Sequence, residues 1–175
     1  LPSLEALERR LIAWTLFEER GNVSKAKQRL GISRQTLYNK LHVYGIDPDE
    51  FRHGQAVPPE GPKPPPGLTL DDLEEPAIRL TLWLRGGNRS ATASSLSLDR
   101  ETLYGKFRTL KINADEPLTA WEPTPVQRQA ATWVAEQLDN LEVSVQMIEA
   151  QRPMFEAFTN DQLVAKSEAL RSRVR

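Results

Sequence analysis

The chain contains one stretch twice. Residues 21–46, GNVSKAKQRLGISRQTLYNKLHVYGI, recur in weakened form at 87–112 as GNRSATASSLSLDRETLYGKFRTLKI, offset by 66 positions without a gap. The register also holds upstream, where Leu4/Leu70, Leu7/Leu73, Glu8/Glu74, Ile12/Ile78, Thr15/Thr81 and Leu16/Leu82 are identical pairs. A gapless repeat of this length is a whole small domain present twice, so the chain is limited to folds that such a unit can build.

The first unit reads as three helices. Leu4, Leu7, Leu11 and Trp14 form one apolar stripe, and Ile12 and Leu16 a second, about 120–140° away at the helical period. One stripe is enough to close a three-helix unit. Two readings stand for the other: a face turned to another subunit or domain, or a first helix wrapped on two sides by its own domain. Gly21 is expected to end this helix as its C′ residue. A short helix over 24–30 follows, with Ala26 and Leu30 inward, and Gly31 and Ile32 make a tight turn. Ser33 caps a third helix running to Tyr44 by accepting from the amide of Gln35 or Thr36. Leu37, Leu41 and Tyr44 fall on its inner face, Gly45 ends it and Ile46 packs beyond. A short helix, a glycine-bearing turn and a capped helix are helix-turn-helix spacing.

Residues 48–67 read as a Pro-rich linker, since residues 47–67 hold seven of the thirteen prolines. The run Pro64-Pro65-Pro66 favours extended polyproline II at ~3.1 Å per residue, a semi-rigid spacer able to span tens of ångströms. Beyond the second unit, Thr124-Pro125-Val126-Gln127 is a helix start, with Thr124 as N-cap, Pro125 at N1 and Gln127 completing a capping box. Val134, Leu138, Leu141, Val145 and Ile148 then follow at the spacing of a helix–helix seam, Pro153 stops that helix, and a last one starts at Thr159. The seam has two readings. One is packing within the chain, onto the second unit or the final helix. The other is a dimerisation hairpin, in which Leu141→Asp would turn an oligomer into a monomer.

Composition removes several function classes. With no cysteine and only His42 and His53, neither a disulfide framework nor a thiolate or His-rich metal site is expected. No apolar run reaches the roughly 18–20 residues of a membrane span, and no signal-peptide pattern opens the chain. Leu1 stands where a methionine would start a gene product, which fits a piece of a longer protein. No Gly-rich phosphate loop and no Ser/His/acid set is present, so neither catalysis nor a cofactor is expected. The net charge of −1 hides an uneven distribution. Residues 21–46 carry five bases and no acid, residues 87–112 five bases against two acids, and residues 114–175 ten acids against six bases. Local basic clusters, more than the total, set an electrostatic footprint.

The segment GNVSKAKQRLGISRQTLYNKLHVYGI closely resembles the Fis-type helix-turn-helix of the bacterial Fis protein and of the C-terminus of NtrC-like enhancer-binding activators. The shared elements are Gly-Asn, an Ala-containing short helix, Leu-Gly-Ile, then Ser-Arg-x-Thr-Leu-Tyr-x-Lys-Leu and Tyr-Gly-Ile. The opening Leu1-Pro2-Ser3-Leu4-Glu5 also looks like the entry to such a domain. The resemblance is strong over 1–46, weak over 70–112, and does not extend to the linker or the last sixty residues. It implies an all-α fold for units at 1–47 and 68–113; the linker at 48–67 and a C-terminal helical hairpin or coiled-coil-like region at 114–175, a candidate for dimerisation, rest on the residue patterns above.

The resemblance implies a bacterial, cytoplasmic, nucleoid-associated regulator of transcription whose partner is double-stranded DNA. Its two units could pair within one chain as a pseudo-dimer, or each with its counterpart in a second chain as a homodimer. A helix presenting Arg34, Gln35, Tyr38 and Asn39 outward suits the major groove, where Arg matches the O6/N7 edge of guanine and Gln or Asn matches adenine. By resemblance Arg34 reads bases, with Gln35 next. Thr36 and Lys40 hold phosphates, and Asn22 with the start of the short helix anchors the backbone. Lys25, Lys27 and Arg29 supply non-specific attraction. Asn39 and His42 stand where the family often has Arg or Lys, which reduces the expected phosphate contacts. Tyr38 and Tyr44 are expected to pack their rings and leave their hydroxyls wet.

The second copy keeps Leu96, Arg100, Thr102, Leu103, Tyr104, Lys106 and Ile112, with Asp99 as N-cap. It loses the turn glycine to Ser97, alters the short helix at Thr92 and Ala93, and places Glu101 beside Arg100. Gly105 weakens its third helix by up to ~1 kcal/mol, and Pro76 is expected to interrupt or restart its first. Arg100 and Lys106 remain candidate DNA contacts. The alternative to a DNA reader is an adaptor or antagonist that uses the helix-turn-helix units to bind another regulator or the transcription machinery. A third reading is an architectural protein that bends DNA with little sequence preference.

Overall fold

A side chain caps the start of every α-helix among the described residues, which in this computed structural model are 2–52 and 56–137. Helix α1, Leu4–Glu18, begins where Ser3 accepts from the amide of Ala6 at 3.1 Å. Asn22 caps α2, Val23–Leu30, and Ser33 caps α3, Arg34–Tyr44, by accepting from Thr36 N at 3.0 Å. Thr69 and Asp72 form a capping box at α4, Leu70–Leu84. Asn88 caps α5, Arg89–Leu96, and Asp99 caps α6, Arg100–Thr109. The capping box of Thr124 and Gln127 opens α7, Pro125–Glu136. Each cap satisfies an amide that the first helical turn leaves without a partner. No strand occurs among the described residues, and the fold is all-α.

Helices α4, α5 and α6 begin 66 residues after α1, α2 and α3, and the first two pairs also end 66 residues apart, while α6 stops at Thr109, one residue short of the match to Tyr44. Gly31 and Ser97 both take the left-handed conformation, at φ 69° and 56°, and the next amide closes each turn, Ile32 N to Lys27 O at 3.1 Å and Leu98 N to Ala93 O at 2.9 Å. Ser97 therefore makes the glycine turn without glycine, at a cost of roughly 1–2 kcal/mol.

Helix α1 packs on α2 and on α4, and α4 packs in turn on α5 and α7. One apolar cluster runs through all of these, from Leu4, Leu7 and Leu11 through Leu73 and Ile78 to Trp133 and Val134. Ile12 and Leu16, the second stripe of α1, are both 0% exposed, so the chain covers that face itself. Burial of each contributes about 1.5–3 kcal/mol. Trp14 is only half-buried, its ring edge-on to Phe17.

Three expectations need correction. The C′ residue of α1 is Arg20, at φ 51°, and not Gly21. The amide of Arg20 reaches Phe17 O and that of Gly21 reaches Leu16 O, the two bonds of a Schellman ending. Gly21 is needed for another reason: a Cβ there would collide with the carbonyl oxygen of Pro48 and lie 2.7 Å from Arg52 Cγ. Gly21→Ala is expected to lower stability by at least about 1–2 kcal/mol, the cost of a left-handed alanine alone, and thermal melts followed by circular dichroism would measure it.

Pro76 does not interrupt α4, which is continuous from Leu70 to Leu84. Proline inside a helix forfeits one hydrogen bond and costs ~3 kcal/mol or more. Here the helix is held on both sides of it, by the capping box before and by the buried Leu73, Ala77, Ile78 and Leu80 around it.

The proline-rich segment is docked and does not run as an extended spacer. Asp47 caps a 3-10 turn, Pro48–Phe51, that packs on α1. Lys63 pairs with Glu18, Pro64 and Leu68 are buried, and Pro62 O accepts from Trp133 Nε1 at 2.8 Å.

Helix α7 ends at Glu136 with Gln137 as its C-cap. Val134, the first member of the expected seam, is buried within the chain. Leu138, Leu141, Val145 and Ile148, the helix from Thr159, and His53 lie outside the described residues.

Candidate nucleic-acid interface

Helix α3 is anchored by Leu37 and Leu41, both buried, which turn its opposite side to solvent. On that side lie Arg34, Gln35, Tyr38, Asn39 and His42, all exposed. They are linked in pairs one turn apart. Arg34 Nη2 donates to Tyr38 Oη at 3.4 Å, with its guanidinium 5.6 Å from the ring centroid, and Gln35 Nε2 donates to Asn39 Oδ1 at 2.9 Å. These i,i+4 pairs hold long side chains near one rotamer, which lowers the entropy lost when they meet a ligand. Tyr38 thus stands on the outer face, 42% exposed, and its ring is not packed into the core as the sequence suggested.

The remaining predicted residues divide by what they touch. Asn22 is exposed, but its Oδ1 accepts from Lys25 N at 3.1 Å, the cap of α2. Thr36 Oγ1 lies 2.8 Å from Ser33 Oγ, at the start of α3. Lys40 points back to α1, where its ammonium pairs with Glu8, and Tyr44 Oη donates to the same carboxylate oxygen at 2.7 Å. The Tyr44 hydroxyl is therefore partnered and not wet. Burial and the Glu8 hydrogen bond together push its pKa well up.

These pairings change the charge that the face presents. Of the five bases in 21–46, Arg29 is held by both Glu18 and Glu19, at 2.6 and 2.9 Å, and Lys40 by Glu8. Burial pushes the Glu18 carboxyl up, but hydrogen bonds from Lys63 and Arg29 outweigh it and leave the carboxyl below its usual range. Lys25, Lys27 and Arg34 have no carboxylate partner among the described residues. The usable positive charge is these three, fewer than the sequence count implied.

In the second unit, Arg100 Nη2 donates to Ser90 Oγ at 2.7 Å, Arg89 pairs with Asp115 at 3.0 Å, and Lys106 pairs with Glu74. Arg100 and Lys106, the two predicted contacts here, are thus tied within the unit. Arg108 and Lys111 are exposed at the far end of α6, and Tyr104 is 42% exposed, as Tyr38 is. The carboxylates that decide these matters, Glu8, Glu18, Glu19 and Glu74, were not singled out from the sequence as partners. One signal was available: Glu8/Glu74 and Lys40/Lys106 recur at the same offset, so a pair was legible in duplicate.

Residues 3–44 match the family described as bacterial regulatory protein, Fis family, and form a Fis-type helix-turn-helix domain. Over 46 residues the chain is 46% identical to the propane 2-monooxygenase operon transcriptional activator MimR of Mycolicibacterium goodii. That match covers 26% of this chain and 8% of the activator's length. No solved structure matches.

Proposed function

We propose that the chain is a sequence-specific double-stranded DNA-binding regulator of transcription that reads the major groove with α3. The outward row of Arg34, Gln35 and Asn39, on a segment with no acid from 21 to 46, carries this reading. Arg34 is assigned to a guanine edge and Gln35 with Asn39 to adenine, by the donor and acceptor patterns of the bases. Lys25 and Lys27 are assigned to phosphates, and Asn22 and Thr36 to shaping the ends of α2 and α3 beside the backbone.

Residues 68–113 are read as a second, degenerate Fis-type unit that sets geometry more than it reads sequence. Support comes from helix starts, caps and turns 66 residues apart, combined with the self-contained pairings of Arg100 and Lys106. Because α1 packs on α4, pairing of the two units within one chain is favoured over pairing of two chains.

Selection of duplexes from a random pool, followed by anisotropy titration of the full chain, tests the proposal. The selected duplex is expected to bind with a steep salt dependence, each phosphate contact contributing about 0.9 to the slope of log K on log salt. Replacing both Lys25 and Lys27 by Gln is expected to lower that slope by roughly 1.8. Failure to enrich any sequence above a random background at low salt would hand the chain to the adaptor reading.

A further inference from the structure

We infer that Glu8 is a positioning residue for the reading helix, and that Lys40 serves this clamp and not a phosphate. The inference rests on the DNA-binding reading of α3 and concerns how that helix is held. Glu8 sits in the second turn of α1, and its side chain is only 16% exposed. One of its oxygens, Oε2, accepts from two residues a turn apart on α3, Lys40 Nζ and Tyr44 Oη. The Lys40 ammonium also lies 5.7 Å from the Tyr44 ring centroid, so the three groups form one closed cluster. Leu37 and Leu41 seat α3 on the core, but apolar contacts are non-directional and leave rotation about the helix axis loosely set. Two charge-directed hydrogen bonds from successive turns fix that rotation, and the outward angle of Arg34 and Gln35 follows from it.

The same carboxylate–ammonium pair stands in the second unit, Glu74 with Lys106. There the residue matching Tyr44 is Leu110, which has no hydroxyl, so that clamp has one arm where the first has two. The fuller clamp lies under the helix with the outward reading row.

Lys40 and Glu8 make opposite predictions under the two roles. If Lys40 met a phosphate, Lys40→Gln would lower the salt slope by about 0.9, while Glu8→Gln would free the lysine, tighten binding to all duplexes and steepen the slope. Under the clamp, Glu8→Gln and Lys40→Gln each reduce the preference for the selected over a random duplex by about tenfold. Both then leave the salt slope and random-duplex affinity unchanged. The double variant is expected to be no worse than either single, since the two side chains act as one unit.

Tyr44→Phe keeps the ion pair and is expected to give an intermediate loss of preference, with helicity by circular dichroism unchanged. A steeper slope and tighter binding in Glu8→Gln overturn the assignment, as do additive losses in the double variant. Absence of any duplex preference in the unsubstituted chain counts against the DNA-binding reading itself. The clamp is then read from amide hydrogen exchange, where Glu8→Gln is expected to raise exchange in α3. Unchanged exchange would overturn it.

Discussion

An Arg34→Ala protein is expected to lose between about five- and 150-fold of its discrimination between the selected duplex and a random one. That range is the ~1–3 kcal/mol that a bidentate arginine–guanine contact contributes. Affinity for random duplex is expected to fall far less, because Lys25 and Lys27 remain without carboxylate partners among the described residues. Arg34 suits this role for a reason visible in its surroundings. Its guanidinium leans on Tyr38 at 5.6 Å and pairs with no carboxylate among the described residues, so it is oriented but not neutralised there. Arg100, at the matching position of the second unit, is already donating to Ser90 and has Glu101 beside it. Arg100→Ala is accordingly expected to change discrimination by less than about twofold, below the ~1 kcal/mol of one base contact. Anisotropy titrations with both duplexes measure the two variants side by side. Full discrimination retained by Arg34→Ala would remove this residue from base reading.

Trp133→Ala is expected to destabilise the chain by about 3–5 kcal/mol, the range for deleting a large buried aromatic. Trp133 is 2% exposed, on the helix that packs along α4, and its Nε1 donates to Pro62 O at 2.8 Å. Its loss therefore opens a cavity beside α4 and releases the proline-rich segment together. Trp133→Phe separates the two effects. Most of the ring remains, and the cost is expected to drop to about 1–3 kcal/mol, that of a carbonyl left without its donor. Urea titrations followed by circular dichroism give both values. An unchanged midpoint in Trp133→Ala would mean that α7 is not part of the core.

The two expectations draw on different kinds of information. Arg34 could be named from the chain alone because the signals around it are local. Ser33 caps three residues ahead, Leu37 and Leu41 set the inner face, and Gly45 stops the helix, all within one short stretch. Trp133 could not be given its partner, since Pro62 lies 71 residues away and a proline carbonyl carries no mark of what will donate to it. The docking of the proline-rich segment is hidden from local sequence for the same reason. Proline runs favour extension where nothing competes, but Lys63, Pro64 and Leu68 find Glu18 and the core. Pro76 shows tertiary packing overriding a local rule, and Gly21 shows a glycine used for close approach where a helix ending had been read.

The sequence by itself determined the helices of both units, the caps at Ser33, Asp99 and Thr124, and the 66-residue offset, because capping, turn chemistry and the 3.6-residue period act over a few residues. It also determined which side of α3 faces outward. Only the tertiary structure decided which charges on that face are available. Arg29 and Lys40 count as positive in any tally of residues, yet Glu18, Glu19 and Glu8 hold them from α1. Ion pairing depends on where distant carboxylates arrive once α1 is packed, and only the folded chain brings them within hydrogen-bond reach.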